Sequence, residues 1–240
     1  MGGMTISPFE ESPPSPWSGE PAPPPQPDER RPAREPAFNA PWTAVALSAV
    51  IVGGYAIQVL LPQDQVLNAF AFSPAALAAG QWPTLITALF LHGGWPHALM
   101  NAAFALAFGT PVARFFGPKL QGALAFFAFY LATGVLSNLG YAALHWGGTG
   151  ALVGASGAVS GLMGAAARLI GGRGRIGPLL SPAVVGMGAS WIAINLAIGV
   201  FGSALLPGTG GAGVAWEAHL AGFAAGVLII TPFAWLAPKE

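Results

Sequence analysis

Cysteine is absent from the 240 residues, which excludes disulfides, thiol nucleophiles and cysteine-ligated metal and says little about compartment. Charge is almost as scarce. Only 8% of residues are Asp, Glu, Lys or Arg against 54% hydrophobic, too few to cover a soluble globule of this size, so the composition points to a polytopic membrane protein in a lipid bilayer. The net charge of zero and the scattering of the few charges argue against nucleic-acid binding as a main activity. The first forty residues hold no apolar core stretch, so the chain shows no secretory signal there.

Those opening residues, 1–41, are instead rich in Pro, Ser and Glu, with Pro23-Pro24-Pro25 among them. They cannot bury enough apolar surface to fold alone and read as a disordered tail ahead of a membrane domain over residues 42–240. Six apolar helical spans are expected in that domain, over residues 42–61, 96–116, 120–141, 156–170, 183–201 and 216–236. The fold class is all-α, a six-helix membrane bundle. Residues 63–95, apolar and amphipathic in turn, suit a segment lying partly in the membrane interface. With six spans both termini share a side. All nine basic residues (Arg30, Arg31, Arg34, Arg114, Lys119, Arg168, Arg173, Arg175 and Lys239) fall at that face, so the positive-inside rule places both termini in the cytoplasm.

The fourth span begins at Gly154-Ala155-Ser156-Gly157, a serine between glycines at a helix start. Glycines at four-residue spacing, Gly157 and Gly161, are commonly plain helix packing in membranes. A serine at a helix N-terminus also faces unpaired backbone N–H groups, donors suited to an oxyanion. The span is short, ~22 Å against a hydrocarbon core of ~30 Å. With its basic end anchored inside, Ser156 is expected below the outer surface.

Ionisable groups in hydrocarbon are costly and therefore informative. His219 lies early in the sixth span with Gly222 and Gly226 at i+3 and i+7 on its face, so a second helix can approach closely just below it. It stands at a depth matching Ser156. A lone helix histidine is usually structural, but this placement favours a general base. His97 and Asn101, at i and i+4 in the second span, are either interhelical hydrogen-bonding groups or a pair of oxyanion donors; the company of Ser156 and His219 favours the donors. His92 reads as scaffold for the first loop, and His145, beside Trp146, as an interfacial residue. No carboxylate with ligand spacing accompanies the histidines, which disfavours a metal site. Glu217 is on roughly the opposite helical side from His219, so a Ser-His dyad without a third member is the expectation, and Asn195 in the fifth span reads as helix glue rather than a gate contact.

In order along the chain, Gly80-Gln81-Trp82, His92-Gly93-Gly94-Trp95-Pro96-His97-Ala98-Leu99-Met100-Asn101, Gly154-Ala155-Ser156-Gly157 and His219-Leu220-Ala221-Gly222 with Gly226 resemble the motifs of the rhomboid intramembrane serine proteases. The resemblance implies that Ser156 attacks a peptide carbonyl while His219 takes its proton. It implies that His97, Asn101 and the Ser156 N–H stabilise the oxyanion, and that no cofactor is needed. It further implies that substrates are transmembrane proteins cut near the outer face of, for a bacterial chain, the plasma membrane. A catalytically silent client-binding relative is the first alternative, disfavoured because serine and histidine are both kept; a small transporter is the second, disfavoured because the polar groups cluster in the outer third rather than at midplane. The chain departs from the family pattern at Pro83, where Arg is common, at Ala113, where an acid is common, and at Ser160, where an aromatic ring usually stacks on the histidine. Ser160 itself, or a ring from Phe223 or Trp191, is then expected to orient His219.

Overall fold

The computed structural model describes residues 39–205 and 215–237, with the side chains of residues 200–205 left aside. The expected tail over residues 1–41 and its three arginines lie almost wholly outside the described residues, as does Lys239. From Ala40 onward the chain forms one compact unit. Its helices are α1 (Trp42–Gln58), α2 (Gln63–Phe70), α3 (Pro74–Ala78), α4 (Thr84–Thr87), α5 (Trp95–Phe116), α6 (Leu120–Leu144), α7 (Ser156–Gly171), α8 (Pro182–Leu205) and α9 (Trp216–Phe233). No strand occurs among the described residues, only two isolated bridges.

Four helices, α5, α6, α8 and α9, are long and apolar enough to cross a membrane, making the chain an integral, multi-pass membrane protein. The two others expected to span are shorter. Helix α1 stops at Gln58, ahead of a turn over residues 59–61 and Pro62. Helix α7 has 16 residues, and every residue from Gly157 to Leu169 is buried. A helix enclosed on all sides by protein needs neither the length nor the apolar surface of one that faces lipid. Helix α8 is the opposite case: only 11% of its most apolar window is buried, and Val185, Ile192, Ile194 and Leu196 are exposed.

Small residues on α7 let its neighbours touch backbone. A Cβ on Gly161 would run into Thr133 of α6, one on Gly157 into Ser137, and one on Gly164 into the Phe223 carbonyl of α9. Attraction between packed surfaces, with few polar bonds, holds such a bundle together in lipid. Polar side chains close backbone gaps where they fall: Ser137 Oγ donates to the Ala218 carbonyl (2.6 Å) and Ser48 Oγ to the Ala102 carbonyl (2.9 Å). At the basic end of α7, buried Arg168 donates to the carbonyls of Gly177 (2.7 Å) and Val227 (2.8 Å) and to Thr231 Oγ1 (3.3 Å), tying the α7–α8 turn to α9.

The segment between α1 and α5 is built from α2, α3, α4 and a 3-10 turn, not from irregular loop. Phe70, Trp82, Ile86 and Phe90 stay exposed on it. Where Pro83 stands in place of the arginine that the resemblance leads one to expect, other contacts anchor this segment. Asn138 Nδ2 donates to the Leu85 carbonyl (2.9 Å), and Phe72 and Leu152 exchange backbone hydrogen bonds of 3.0 and 2.7 Å. The Gln58 amide holds the main chain of His92 from both sides, accepting from its N–H (2.9 Å) and donating to its carbonyl (3.0 Å).

Candidate active site

Ser156 is the first residue of α7, and no side chain caps that helix end, so its leading N–H groups have no intrahelical acceptor. The chain enters through Gly154 with φ of 126°, a conformation side chains rarely adopt. The space above Gly154 is also taken. A Cβ there would lie 2.8 Å from His97 Nε2 and 3.7 Å from Ser156 Oγ, so the His97 ring and the Ser156 hydroxyl border the same small volume. Gly154 is thus required twice, by its backbone angle and by its neighbours.

His219 reaches Ser156 from α9. Its Nε2 lies 2.8 Å from Ser156 Oγ, a hydrogen-bonding distance. Gly222 and Gly226 make the approach possible: a Cβ on either would collide with the carbonyl of Gly157 or Gly161 on α7. The α9 glycines thus meet α7 backbone, one turn below the serine and the imidazole, while the open sides of Gly157 and Gly161 face α6. The remaining ring nitrogen, His219 Nδ1, is 2.7 Å from Oδ1 of Asn195 on α8. Asn195 is fully buried, and its Nδ2 donates to the Trp191 carbonyl (2.8 Å). The Trp191 ring lies against the imidazole with centroids 5.9 Å apart and planes 35° from parallel.

The structure chooses among the groups expected beside His219 and gives Asn195 a specific partner. Ser160 does not touch His219: its hydroxyl donates to the Ser156 carbonyl (2.7 Å), turned back along its own helix. A hydroxyl one turn along a helix finds the i−4 carbonyl nearer than anything across the interface. The ring against His219 comes from Trp191 instead. Asn195, expected to be helix glue, is the partner of the histidine. No motif marks it, because an amide in an apolar helix looks the same whether it binds another helix or a catalytic ring.

His97 and Asn101 stand on one face of α5. Asn101 is buried and donates from Nδ2 to the His97 carbonyl (3.0 Å), leaving its second amide hydrogen for another acceptor. His97 Nδ1 faces the Gly93 N–H at a long 3.5 Å while Nε2 points to Gly154. His92 is buried, edge-on to His97 (centroids 5.2 Å) and Tyr55 (6.3 Å), with neither ring nitrogen hydrogen-bonded among the described residues. Burial, with His97 acting in the same direction, pushes its imidazole from 6.5 down to about 4. His145, just past the C-terminal end of α6, stacks on Tyr141 (4.4 Å) and pairs with Glu217 (3.2 Å), the acid two residues before His219. No cluster of three or more metal-ligating side chains occurs among the described residues.

The family model described as Rhomboid domain matches residues 79–235, about two thirds of the chain. The chain belongs to the rhomboid family. No curated protein matches it. The rhomboid match opens just before α4 and runs through α9, so it contains Ser156, His219, Asn195, Trp191, His97 and Asn101 and leaves α1 to α3 outside.

Proposed function

We propose that this rhomboid protein is an intramembrane serine endopeptidase that cleaves transmembrane protein substrates near the outer membrane face. The observation that carries the reading is the 2.8 Å contact between His219 Nε2 and Ser156 Oγ at the head of α7. A hydroxyl is a weak nucleophile until a base takes its proton as it attacks. Here Ser156 Oγ adds to the scissile carbonyl carbon while its proton passes to His219 Nε2. The carbonyl oxygen becomes an oxyanion beside the free N–H groups at the start of α7, the Nε2 edge of His97 and the spare amide hydrogen of Asn101. Collapse of this intermediate breaks the C–N bond, and His219 returns the proton to the leaving amine. Water then attacks the Ser156 ester with His219 again as base, releasing the new carboxyl end and restoring the serine. The chemistry needs no cofactor.

The placement of the basic residues supports cytoplasmic termini, which puts the serine toward the outer face. A silent client-binding role is the rival within the family, and the paired serine and histidine speak against it. The test is incubation of the purified protein, in liposomes, with a single-span membrane protein. Cleavage by the wild type and none by Ser156→Ala or His219→Ala is the expected result, and cleavage surviving in Ser156→Ala removes the nucleophile.

A further inference from the structure

We infer that Asn195 is a positioning residue that holds His219 in the one tautomer able to act as base toward Ser156. The inference rests on the protease reading for its catalytic meaning, but its structural content stands alone. It begins at the far end of the chain of bonds. The Trp191 carbonyl can only accept, so the Asn195 atom 2.8 Å from it is the donating Nδ2, and the amide is held the right way round. Oδ1 is then the atom 2.7 Å from His219 Nδ1. Since Oδ1 can only accept, the proton is on Nδ1. That leaves the lone pair of Nε2 facing Ser156 Oγ at 2.8 Å, ready to receive the hydroxyl proton.

Three features make this more than a convenient contact. Asn195 is completely buried, so no water competes for Oδ1. The residue that holds its amide, Trp191, also lies against the imidazole face, so one turn of α8 sets both the proton and the plane of the ring. Ser160, at the position where the family usually has a ring, is hydrogen-bonded to its own helix and supplies neither. Through Asn195 the role usually given to an acid in a triad is filled by a neutral amide, which orients the histidine without adding a charge to the membrane interior.

The test has two arms. In the first, kcat and KM are measured in liposomes for the wild type, Asn195→Leu, which keeps the volume and removes the acceptor, and Asn195→Asp, which restores it. The expected result is a fall in kcat of about 10- to 100-fold for Asn195→Leu with KM unchanged, and recovery of most of the loss in Asn195→Asp. Wild-type kcat in Asn195→Leu overturns the inference. The second arm does not depend on turnover. Nitrogen NMR of protein labelled with 15N-histidine, with the His219 signals assigned by their absence in His219→Gln, reads the tautomer directly. The expected wild-type pattern is a protonated Nδ1 and a bare Nε2, lost or mixed in Asn195→Leu. A proton on Nε2 in the wild type overturns the inference even if Asn195→Leu does not fold. If the wild type shows the expected tautomer yet cleaves nothing, the protease reading has failed and the positioning has not.

Discussion

Gly222 of α9 stands against the carbonyl of Gly157 of α7 so closely that no Cβ fits between them. Gly157 follows Ser156 in the chain, and Gly222 lies one helical turn beyond His219, so this backbone contact sets the gap between hydroxyl and imidazole. The rest of the site is built outward from it, with His97 over Gly154 on one side and Asn195 behind His219 on the other.

Substituting Gly222→Ala therefore acts on chemistry as well as packing. The added methyl meets a backbone carbonyl that cannot turn aside, and overpacking of this kind costs about 1–3 kcal/mol. A displacement of about 1 Å between reacting groups lowers the rate roughly 10²-fold. Thermal unfolding in detergent and the rate of substrate cleavage, measured on the same preparation, check both effects. Unchanged cleavage in Gly222→Ala contradicts the role given to the glycine contact.

At Gly154 the expected loss is sharper in activity than in stability. Alanine there is strained by φ of 126° and also pushes on His97 Nε2. Backbone strain of this sort costs on the order of 1–3 kcal/mol, while the His97 ring proposed to face the oxyanion is displaced directly. Gly154→Ala is predicted to lose about 10²-fold or more in cleavage rate while its melting temperature falls only modestly. Equal and small losses in both measurements contradict this.

His92 gives the stability a pH dependence with a definite sign. Its imidazole is held near 4 in the folded protein and near 6.5 in the unfolded chain. Between those values the unfolded chain binds the proton and the folded one does not, so stability is full above 6.5 and falls as the pH drops toward about 4. The loss is at most ~1.4 kcal/mol per pH unit. Gln58 holds only the main chain of His92, so His92→Phe keeps that anchor. Unfolding midpoints from pH 7 to pH 4.5 are expected to fall less steeply in His92→Phe than in the wild type, and parallel curves contradict the assignment.

The sequence carried the architecture because its main signals are periodic. Glycines at four-residue spacing on two spans identify faces that approach closely: those of α9 meet the carbonyls of Gly157 and Gly161 on α7, and those of α7 open toward α6. The shortness of the fourth span was legible too, and its cause is visible in the enclosure of α7. Asn195 was not legible as a partner of His219. The two are 24 positions apart on different helices, and their meeting depends on the rotation of α8, which an almost uniformly apolar helix does not encode in its hydrophobic pattern. The choice between Ser160 and a ring from Phe223 or Trp191 was open in the sequence for a related reason. Sharing a face with Ser156 places Ser160 near the site, but which way a hydroxyl turns is decided by the nearest acceptor, here the Ser156 carbonyl. The short helices between α1 and α5 escaped notice because helices of four to eight residues carry too few turns for a period to show.

The central claim is that Ser156 is made nucleophilic by His219, and covalent labelling tests it most directly. The protein is treated with a fluorophosphonate and the adduct located by peptide mass spectrometry, with the labelling rate compared between wild type and His219→Ala. The account predicts a single adduct on Ser156 that forms at least roughly 10²-fold more slowly in His219→Ala. An adduct on another serine such as Ser160, or an equal rate without the histidine, would contradict it.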